Sequence, residues 1–398
     1  MLHIHQLFYP NALGTWIDQD LTEISNGPQA LASGLSSFAI GENQYLFFFG
    51  ADQHVHMPSY LGLTWNDFDA TQRAGGPNVP GSSLASSPVL IPQPSHGPLA
   101  ILYAIYIAEN GDLHVLQDDG AWSDQDMTWP VPPGVGYAPD PGAALSIQGP
   151  GQSPLLTFVS GGHVIQETLL EGYWILAGDL SAMAAGALPP GAPPQPPGLA
   201  IVKASPGGLS ADPSGVYYIG LEDQHVHQLS PGGGTWGDVD LSRLTHASPI
   251  AGSPISSFPL GDDEHVFYLA QAGGGTLHVH QLFYQSAADN WDDEDLTEWA
   301  QPWEQTAVPP AVAGGLSSFA IDDGQHVYYL AEGPLGTLHV HQLFYPNAGG
   351  GWIDQDLTDI SGGPQAAPNP SNCGLSSFAI ADGQHVYYLA PWNPLGPF

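Results

Sequence analysis

Basic side chains are almost missing from this sequence. Arg73, Lys203 and Arg243 are the whole set, against 39 acidic residues, for a formal net charge of −36. A surface this negative repels nucleic-acid phosphates and anionic lipid headgroups, and it disfavours sialylated or sulfated glycans. Neutral or cationic partners remain. The same scarcity leaves trypsin-like proteases little to cut, which points to a secreted or extracellular protein. Cys373 is the single cysteine, so no intrachain disulfide forms and no Cys-based zinc site exists. No apolar run is long enough to span a membrane. The N-terminus, Met1-Leu2-His3-Ile4-His5, has no basic region followed by an apolar stretch, so a secretory signal is absent or already removed. Signatures of catalysis are missing too. There is no G-x-S-x-G elbow, no Gly-rich phosphate loop with Lys, and no D-x-D-x-D-G calcium loop.

What is present is repetition. The 50 glycines and 39 prolines are spread between apolar runs as turn punctuation, and a hydrophobic fraction of 42% is ordinary for a packed core. Residues 338–366, LHVHQLFYPNAGGGWIDQDLTDISGGPQA, and residues 2–30, LHIHQLFYPNALGTWIDQDLTEISNGPQA, differ at about five positions. GLSSFAI recurs at 34–40, 315–321 and 374–380, and QHVYYLA at 325–331 and 384–390, with EHVFYLA at 264–270. The unit at 315–358 holds four strand-length runs, GLSSFAI, QHVYYLA, TLHVHQLFY and GWIDQDLT. They are rich in β-branched and aromatic residues and are bounded by Gly, Asp, Asn or Pro. Four strands in roughly 50–60 residues is the size of a β-propeller blade.

The Trp of the fourth run counts the units: Trp16, Trp65, Trp122, Trp174, Trp236, Trp291 and Trp352. The copies near 86–129 and 142–180 are the most diverged, and Trp174 has an extra residue before its Asp. The phase of the repeat is informative. The chain ends on runs one and two of a unit and begins on runs three and four, so the two ends complete one blade and remove the open sheet edges. The expected fold is therefore all-β: a seven-bladed propeller of four-stranded blades filling residues 1–398 as one domain, its last blade built from about 374–398 plus 1–24. Ser317, Ser318 and Ala320, with Ser376, Ser377 and Ala379, suit the crowded axis. The Trp suits the wider gap at the rim.

The candidate functional residues follow from the same repeat. W-x-D-x-D is intact at Trp16/Asp18/Asp20, Trp65/Asp67/Asp69, Trp122/Asp124/Asp126, Trp236/Asp238/Asp240, Trp291/Asp293/Asp295 and Trp352/Asp354/Asp356. The three residues fall at i, i+2 and i+4, on one face of a strand. A Trp offers a flat apolar platform to the C–H face of a sugar, and a carboxylate accepts strong hydrogen bonds from its hydroxyls. The alternative is structural, with Trp packed between blades and Asp bonded to backbone amides of the next turn. The carbohydrate-binding candidates are Trp16, Asp18, Trp236, Asp238, Trp291, Asp293, Trp352 and Asp354, with the neighbouring Tyr9, Tyr284 and Tyr345. His pairs at His3/His5, His54/His56, His225/His227, His278/His280 and His339/His341 share strand faces and could offer two imidazoles to a metal. No third ligand recurs at a suitable spacing, so a hydrogen-bonding or packing role is expected, as for His265, His326 and His385. No metal and no cofactor are expected. Carboxylates that recur in nearly every unit argue for repeated binding, not for the one special pair a glycosidase needs.

The QHVYYLA, HVHQLFY and W-x-D-x-D-L-T segments, followed by Gly-Pro at Gly27-Pro28 and Gly363-Pro364, together resemble the repeats of the seven-bladed β-propeller lectins typified by the Photorhabdus fucose-binding lectins. The resemblance covers essentially the whole chain, most clearly 1–50 and 216–398. It implies pockets between adjacent blades, binding of fucose or O-methylated sugars, and a soluble, multivalent lectin that pairs as a homodimer or larger homo-oligomer. The expected partners are neutral glycans or glycoconjugates, without nucleic acid or membrane insertion. Near-identical blades also suit a second reading, an extracellular structural propeller that self-assembles without sugar.

Overall fold

The computed structural model describes residues 1–11, 13–62, 64–79, 83–91, 99–127, 137–148, 154–170, 173–186, 204–232, 235–302, 307–321, 324–333, 336–347, 349–368, 374–381 and 383–392. Lys203, Cys373 and the last six residues of the expected closing blade lie outside them. Among the described residues, no helix is long and apolar enough to cross a membrane.

Antiparallel strands of period-two sequence build every sheet. In the unit that ends at Trp352, the strands Ala311–Ile321, Gly324–Glu332, Leu338–Pro346 and Ile353–Asp356 run as a meander. Its registers Leu316↔Tyr329, Tyr329↔His341 and His341↔Asp356 carry one residue of each strand onto one face. Ser317, Tyr328, Gln342 and Gln355 share the other face in the same way. The Trp122, Trp174 and Trp236 units are four-stranded sheets of their own, and the Trp65 unit is a sheet of five short strands. There the third run is interrupted between Val55–His56 and Ser59–Tyr60, where Pro58 cannot donate to the ladder. The Trp291 and Trp352 meanders merge into one nine-stranded sheet through the bridge Leu277↔Ala311.

Strands from the two ends of the chain lie in one sheet. Ile17–Asp20, Leu2–Pro10, Gly383–Pro391 and Ser376–Ile380 lie side by side in that order. Their central pair is in register from Leu2↔Pro391 to Pro10↔Gly383. Gly383 is required at this junction, because a Cβ there would sit 2.0 Å from the Tyr9 carbonyl oxygen.

First strands line the centre. Ser36–Ile40 touches Leu84–Ile91, which touches Leu145–Gln148, then Ala204–Asp212, Ile255–Leu260, Ala311–Ile321, Ser376–Ile380 and Ser36–Ile40 again. Small side chains permit this approach and bond across it. Ser256 Oγ lies 2.7 Å from Ser318 Oγ, Ser317 Oγ 2.7 Å from Ser377 Oγ, and Ser37 Oγ 2.6 Å from Ser376 Oγ. Second strands are covered on both faces by neighbouring sheets, so Tyr328, Tyr329, Leu330, Tyr387, Tyr388 and Leu389 are fully buried. The hydrophobic core lies between sheets: one cluster joins Trp16, Leu46, Trp65, Tyr328, Leu357 and Tyr387. Antiparallel meanders radiating from a closed inner ring of strands make a β-propeller.

One expectation is corrected. GWIDQDLT is not a single strand. The strand stops at the second Asp, and the two residues after it, Leu-Thr in three of these copies, open a short helix: Leu21–Ser25, Ala70–Ala74, Leu241–Thr245, Leu296–Trp299 or Leu357–Ser361. The cause is local. The second Asp is an N-cap in extended backbone whose carboxylate accepts the amide N–H three residues on, as Asp356 does from Asp359 and Asp20 from Glu23.

Candidate functional site

The W-x-D-x-D-L-T residues are occupied within the fold, each by a different partner. The Trp crosses to the preceding sheet. Trp352 meets Phe267 edge-on at 6.4 Å between ring centroids, and Trp16 meets Tyr328 the same way at 6.4 Å. Trp65, Trp122, Trp174 and Trp291 repeat this with Tyr387, Phe47, Tyr103 and Tyr217, while Trp236 packs half-buried against a cluster with Phe158 and Leu229.

The first Asp is held by its own sheet. Asp354 is 1% exposed, receives the Tyr329 hydroxyl at 2.8 Å, and lies 3.2 Å from His341 Nδ1. Asp18 makes the same set with Tyr388 and His5, Asp293 with Tyr268 and His280, and Asp238 with Tyr218 and His227. Burial, followed by the nearby carboxylates, pushes the Tyr329, Tyr388 and Tyr268 hydroxyls well above their ordinary range. They therefore donate to the carboxylate at any ordinary pH. The Gly-Pro turn closes over this group: a Cβ on Gly363 would sit 3.0 Å from both the Asp18 carboxyl and the Tyr388 hydroxyl.

The second Asp caps the helix with one oxygen and binds the first His of the pair with the other, at 2.7 Å for Asp356 and His339. The Leu is buried, and the Thr hydroxyl accepts the third-strand amide, as Thr358 does from Val340. These carboxylates are bonded inside their sheets, as the structural alternative for the motif has it, although their partners are side chains as well as backbone amides.

The spaces between sheets are open instead. A cleft of about 340 Å³ lies between the Trp291 and Trp352 sheets, lined on one side by His265, Gln281, Phe283, Glu294 and Trp299 and on the other by Gln325, Tyr345 and Trp352. A second cleft, of about 270 Å³, lies between the Trp352 sheet and the sheet of the chain ends. His326, Gln342, Phe344, Gln355 and Ile360 face Gln384, Tyr9 and Trp16 across it. The two clefts use equivalent repeat positions. Of the candidates named from sequence, Trp16, Tyr9, Trp352 and Tyr345 line these clefts, with each Tyr ring 5.3–5.4 Å from its Trp. Tyr284 sits beside Trp291 in the same relation, its hydroxyl on Asp289. Asp18, Asp238, Asp293 and Asp354 line neither cleft.

The polar wall escaped the sequence reading. Gln342 Nε2 lies 2.7 Å from His326 Nδ1 and 3.1 Å from both the Tyr328 hydroxyl and Gln384 Oε1, so its two hydrogens are shared among three acceptors. Gln6 makes the same bonds to His385, Tyr387 and Gln44. Because an amide N–H can only donate, the bonded Nδ1 accepts and the imidazole is neutral, with its proton on Nε2. His326 is stacked between Phe319 and Phe344 at 5.2 and 4.8 Å, and His265 between Phe258 and Phe283 at the same distances. Burial brings His265 down to about 4, so it stays neutral in this sandwich. The signal for these residues was present in the repeat, since Gln and Phe of HVHQLFY fall on the strand face opposite the His pair.

The lip was missed as well. The fourth position of the short helices holds an exposed apolar residue in five sheets: Ile24, Met183, Leu244, Trp299 and Ile360, from 41% to 60% exposed. In the sixth helix Arg73 takes that position and lies over Phe68.

No protein-family model and no curated protein matches this chain. Among solved structures it is similar to a triple mutant of AofleA from Arthrobotrys oligospora, with 16% identity over 91% of this chain and 92% of that one, at a TM-score of 0.51. It is also similar to the Aleuria aurantia lectin, a fungal lectin described as a six-bladed β-propeller with a novel fucose recognition mode. There the identity is 14% over 82% of this chain and 96% of that one, at a TM-score of 0.50. At such identity the likeness establishes the shared fold, the β-propeller, which the sheets and their inner ring describe independently.

Proposed function

We propose that this chain is a multivalent lectin which binds neutral sugar units in the clefts between its sheets, as a seven-bladed propeller of the Photorhabdus lectin type. One observation carries the reading: two clefts are built from the same repeat positions, each joining an aromatic wall to an amide wall. Trp and Tyr of one sheet, with Phe of the next, offer rings to C–H faces. Among the described residues, Gln342 Oε1 and Gln384 Nε2 take no part in the network between the sheets, so an acceptor and a donor are left for ring hydroxyls. The exposed apolar lip suits a methyl group, as fucose or an O-methylated sugar carries. Both volumes sit near the low end of the ~300–1,000 Å³ usual for ligand sites, which suits a monosaccharide unit. The net charge of −36 favours neutral glycans.

The seven-blade count is supported by the succession of inner strands and by the seven Trp copies. Several equivalent clefts on one rigid ring raise avidity without new contacts, in a protein that works outside the cell without catalysis. A glycan array with labelled protein tests the reading, followed by Trp fluorescence titration with the best free sugar. Selective binding to fucosylated or O-methylated neutral glycans is expected. Trp299→Ala, at an exposed position, should weaken one class of sites at least tenfold while the others persist. A blank array at high protein concentration would reject the lectin and favour the self-assembling propeller.

A further inference from the structure

Among the described residues, two sheets carry a four-membered donor cluster and three others a three-membered one. Asp52, His54, His56 and Asp69 each place a donor atom within 4.8 Å of every other, and so do Asp223, His225, His227 and Asp240. No third ligand recurs along the chain at a metal-binding spacing, because the further donors come from other strands and turns. The missing donor is the second Asp of the fourth strand, 15 residues beyond His54, delivered by antiparallel pairing. The fourth donor comes from the turn before the third strand, where D-Q-H-V-H occurs at 52–56 and 223–227. At the same point of the Trp352 sheet stands Thr337, whose hydroxyl lies 3.1 Å from His339 Nε2.

We infer that these two clusters are binding sites for a divalent transition-metal ion of the zinc class, held by two imidazoles and two carboxylates. Three of the four ligands, the two Asp and His56, have one atom held by the protein and another turned to the cluster. Asp52 Oδ1 accepts the His54 amide, which leaves Oδ2, 3.0 Å from His56 Nε2 and 3.9 Å from His54 Nδ1. Asp69 Oδ1 caps the helix at Gln72, which leaves Oδ2, 2.7 Å from His54 Nδ1. His56 Nδ1 is held at 2.8 Å by Asp67, the first Asp of the motif, so Nε2 is the atom turned to Asp52 and the cluster. That carboxylate–histidine support is the arrangement that orients metal-bound imidazoles.

The second cluster repeats the scheme. Asp223 Oδ1 accepts the His225 amide, Asp240 Oδ1 caps at Arg243, and Asp238 supports His227 Nδ1 while Nε2 lies 3.1 Å from Asp223 Oδ2. Gln53 and Gln224 both adopt left-handed φ, 67° and 57°, to present the first Asp. The donor atoms lie from 2.7 Å to at most 4.8 Å apart, a range that contains the ~3.3 Å edge of a tetrahedron with metal–ligand bonds of about 2.0–2.1 Å. Two nitrogens and two oxygens match zinc or its neighbours in the series, whereas calcium wants six to eight oxygens. With neutral imidazoles the cluster carries two negative charges, which the ion cancels. It would staple the turn before the third strand to the end of the fourth. Asp52 and Asp223 are 43% and 33% exposed at their side chains and open the site to solvent.

Isothermal titration of the chelator-stripped full chain with Zn²⁺, in excess Mg²⁺ to occupy ordinary surface carboxylates, tests the proposal. Two tight equivalents are expected. Asp52→Asn and Asp223→Asn keep the Oδ1 acceptor and should each remove one equivalent, and the double variant should bind at least tenfold more weakly. Melting of the metal-free variants should match the parent, which separates ligand loss from misfolding. Co²⁺ in place of Zn²⁺ should give the visible d–d bands of a tetrahedral site, halved in each single variant. No saturable uptake by the parent, or full uptake by the double variant, would overturn the assignment. The titration contains no sugar, so its outcome is independent of the lectin reading.

Discussion

The Trp352 and Trp174 sheets solve one packing problem in two ways. In the Trp352 sheet a buried polar set, Tyr329, His341 and Asp354, is stacked across strands two, three and four. In the Trp174 sheet the corresponding registers hold Phe158, Ile165 and Leu176, all apolar and packed in one cluster. The motif half nearer the helix survives unchanged. Asp179 caps at Ala182 and lies 2.7 Å from His163, and Ser181 accepts the Val164 amide. The cap is a local device that needs only its own turn. The polar set is a tertiary device, which an apolar set of similar volume can replace as a whole but not in part. The exchange is not clean. Where the Trp352 sheet pairs Leu343 with Asp354, the Trp174 sheet pairs Glu167 with Leu176, and Glu167 Oε2 is buried without a hydrogen-bond partner.

The largest expected effect comes from breaking the polar set in part. Asp354→Ala leaves the buried Tyr329 hydroxyl and His341 without their acceptor and should cost about 3–5 kcal/mol in chemical denaturation. Converting the whole set, Tyr329→Phe with His341→Ile and Asp354→Leu, should return stability to within about 1 kcal/mol of the parent. A triple variant as unstable as the single one would end the equivalence between the two sheets.

The next effect is pH-dependent. Burial raises the Glu167 carboxyl from 4.5 to about 7. Between those values the folded chain holds a proton that the unfolded chain has released, so stability falls as pH rises through that window. Glu167→Gln should therefore stabilise the protein above pH 7, by up to about 3 kcal/mol at 1.36 kcal/mol per pKa unit, and give no such gain below pH 4.5. Denaturation curves at pH 4 and pH 8 check the sign. The smallest effect should be shared: Asp356→Asn and Asp179→Asn keep an N-cap acceptor and a polar partner for the His, and should cost about 1 kcal/mol or less alike.

Much of this was legible in the sequence. Period-two apolar runs, Gly and Pro between them, and a unit split across the chain ends lead to propeller meanders whose termini share a sheet. Ser317, Ser318, Ser376 and Ser377 were assigned to the axis by size, and they bond there. The helix at each Asp-Leu-Thr was overlooked because the run reads as strand until the cap is recognised. The roles of the first Asp were not legible either, since a strand face does not announce what it faces.

The sequence by itself therefore determined the repeat, the strands, the alternation of their faces and the local caps, because these depend on nearest neighbours along the chain. Tertiary structure decided which face met which. It turned Gln342 and His326 toward Trp16 and Tyr9 across a gap that no single unit contains, and it enclosed Asp354 within its own sheet. It also carried Asp69 to His54 and His56. Those pairings arise from strand register and from the closing of sheets around an axis, which set distances between residues far apart in the chain.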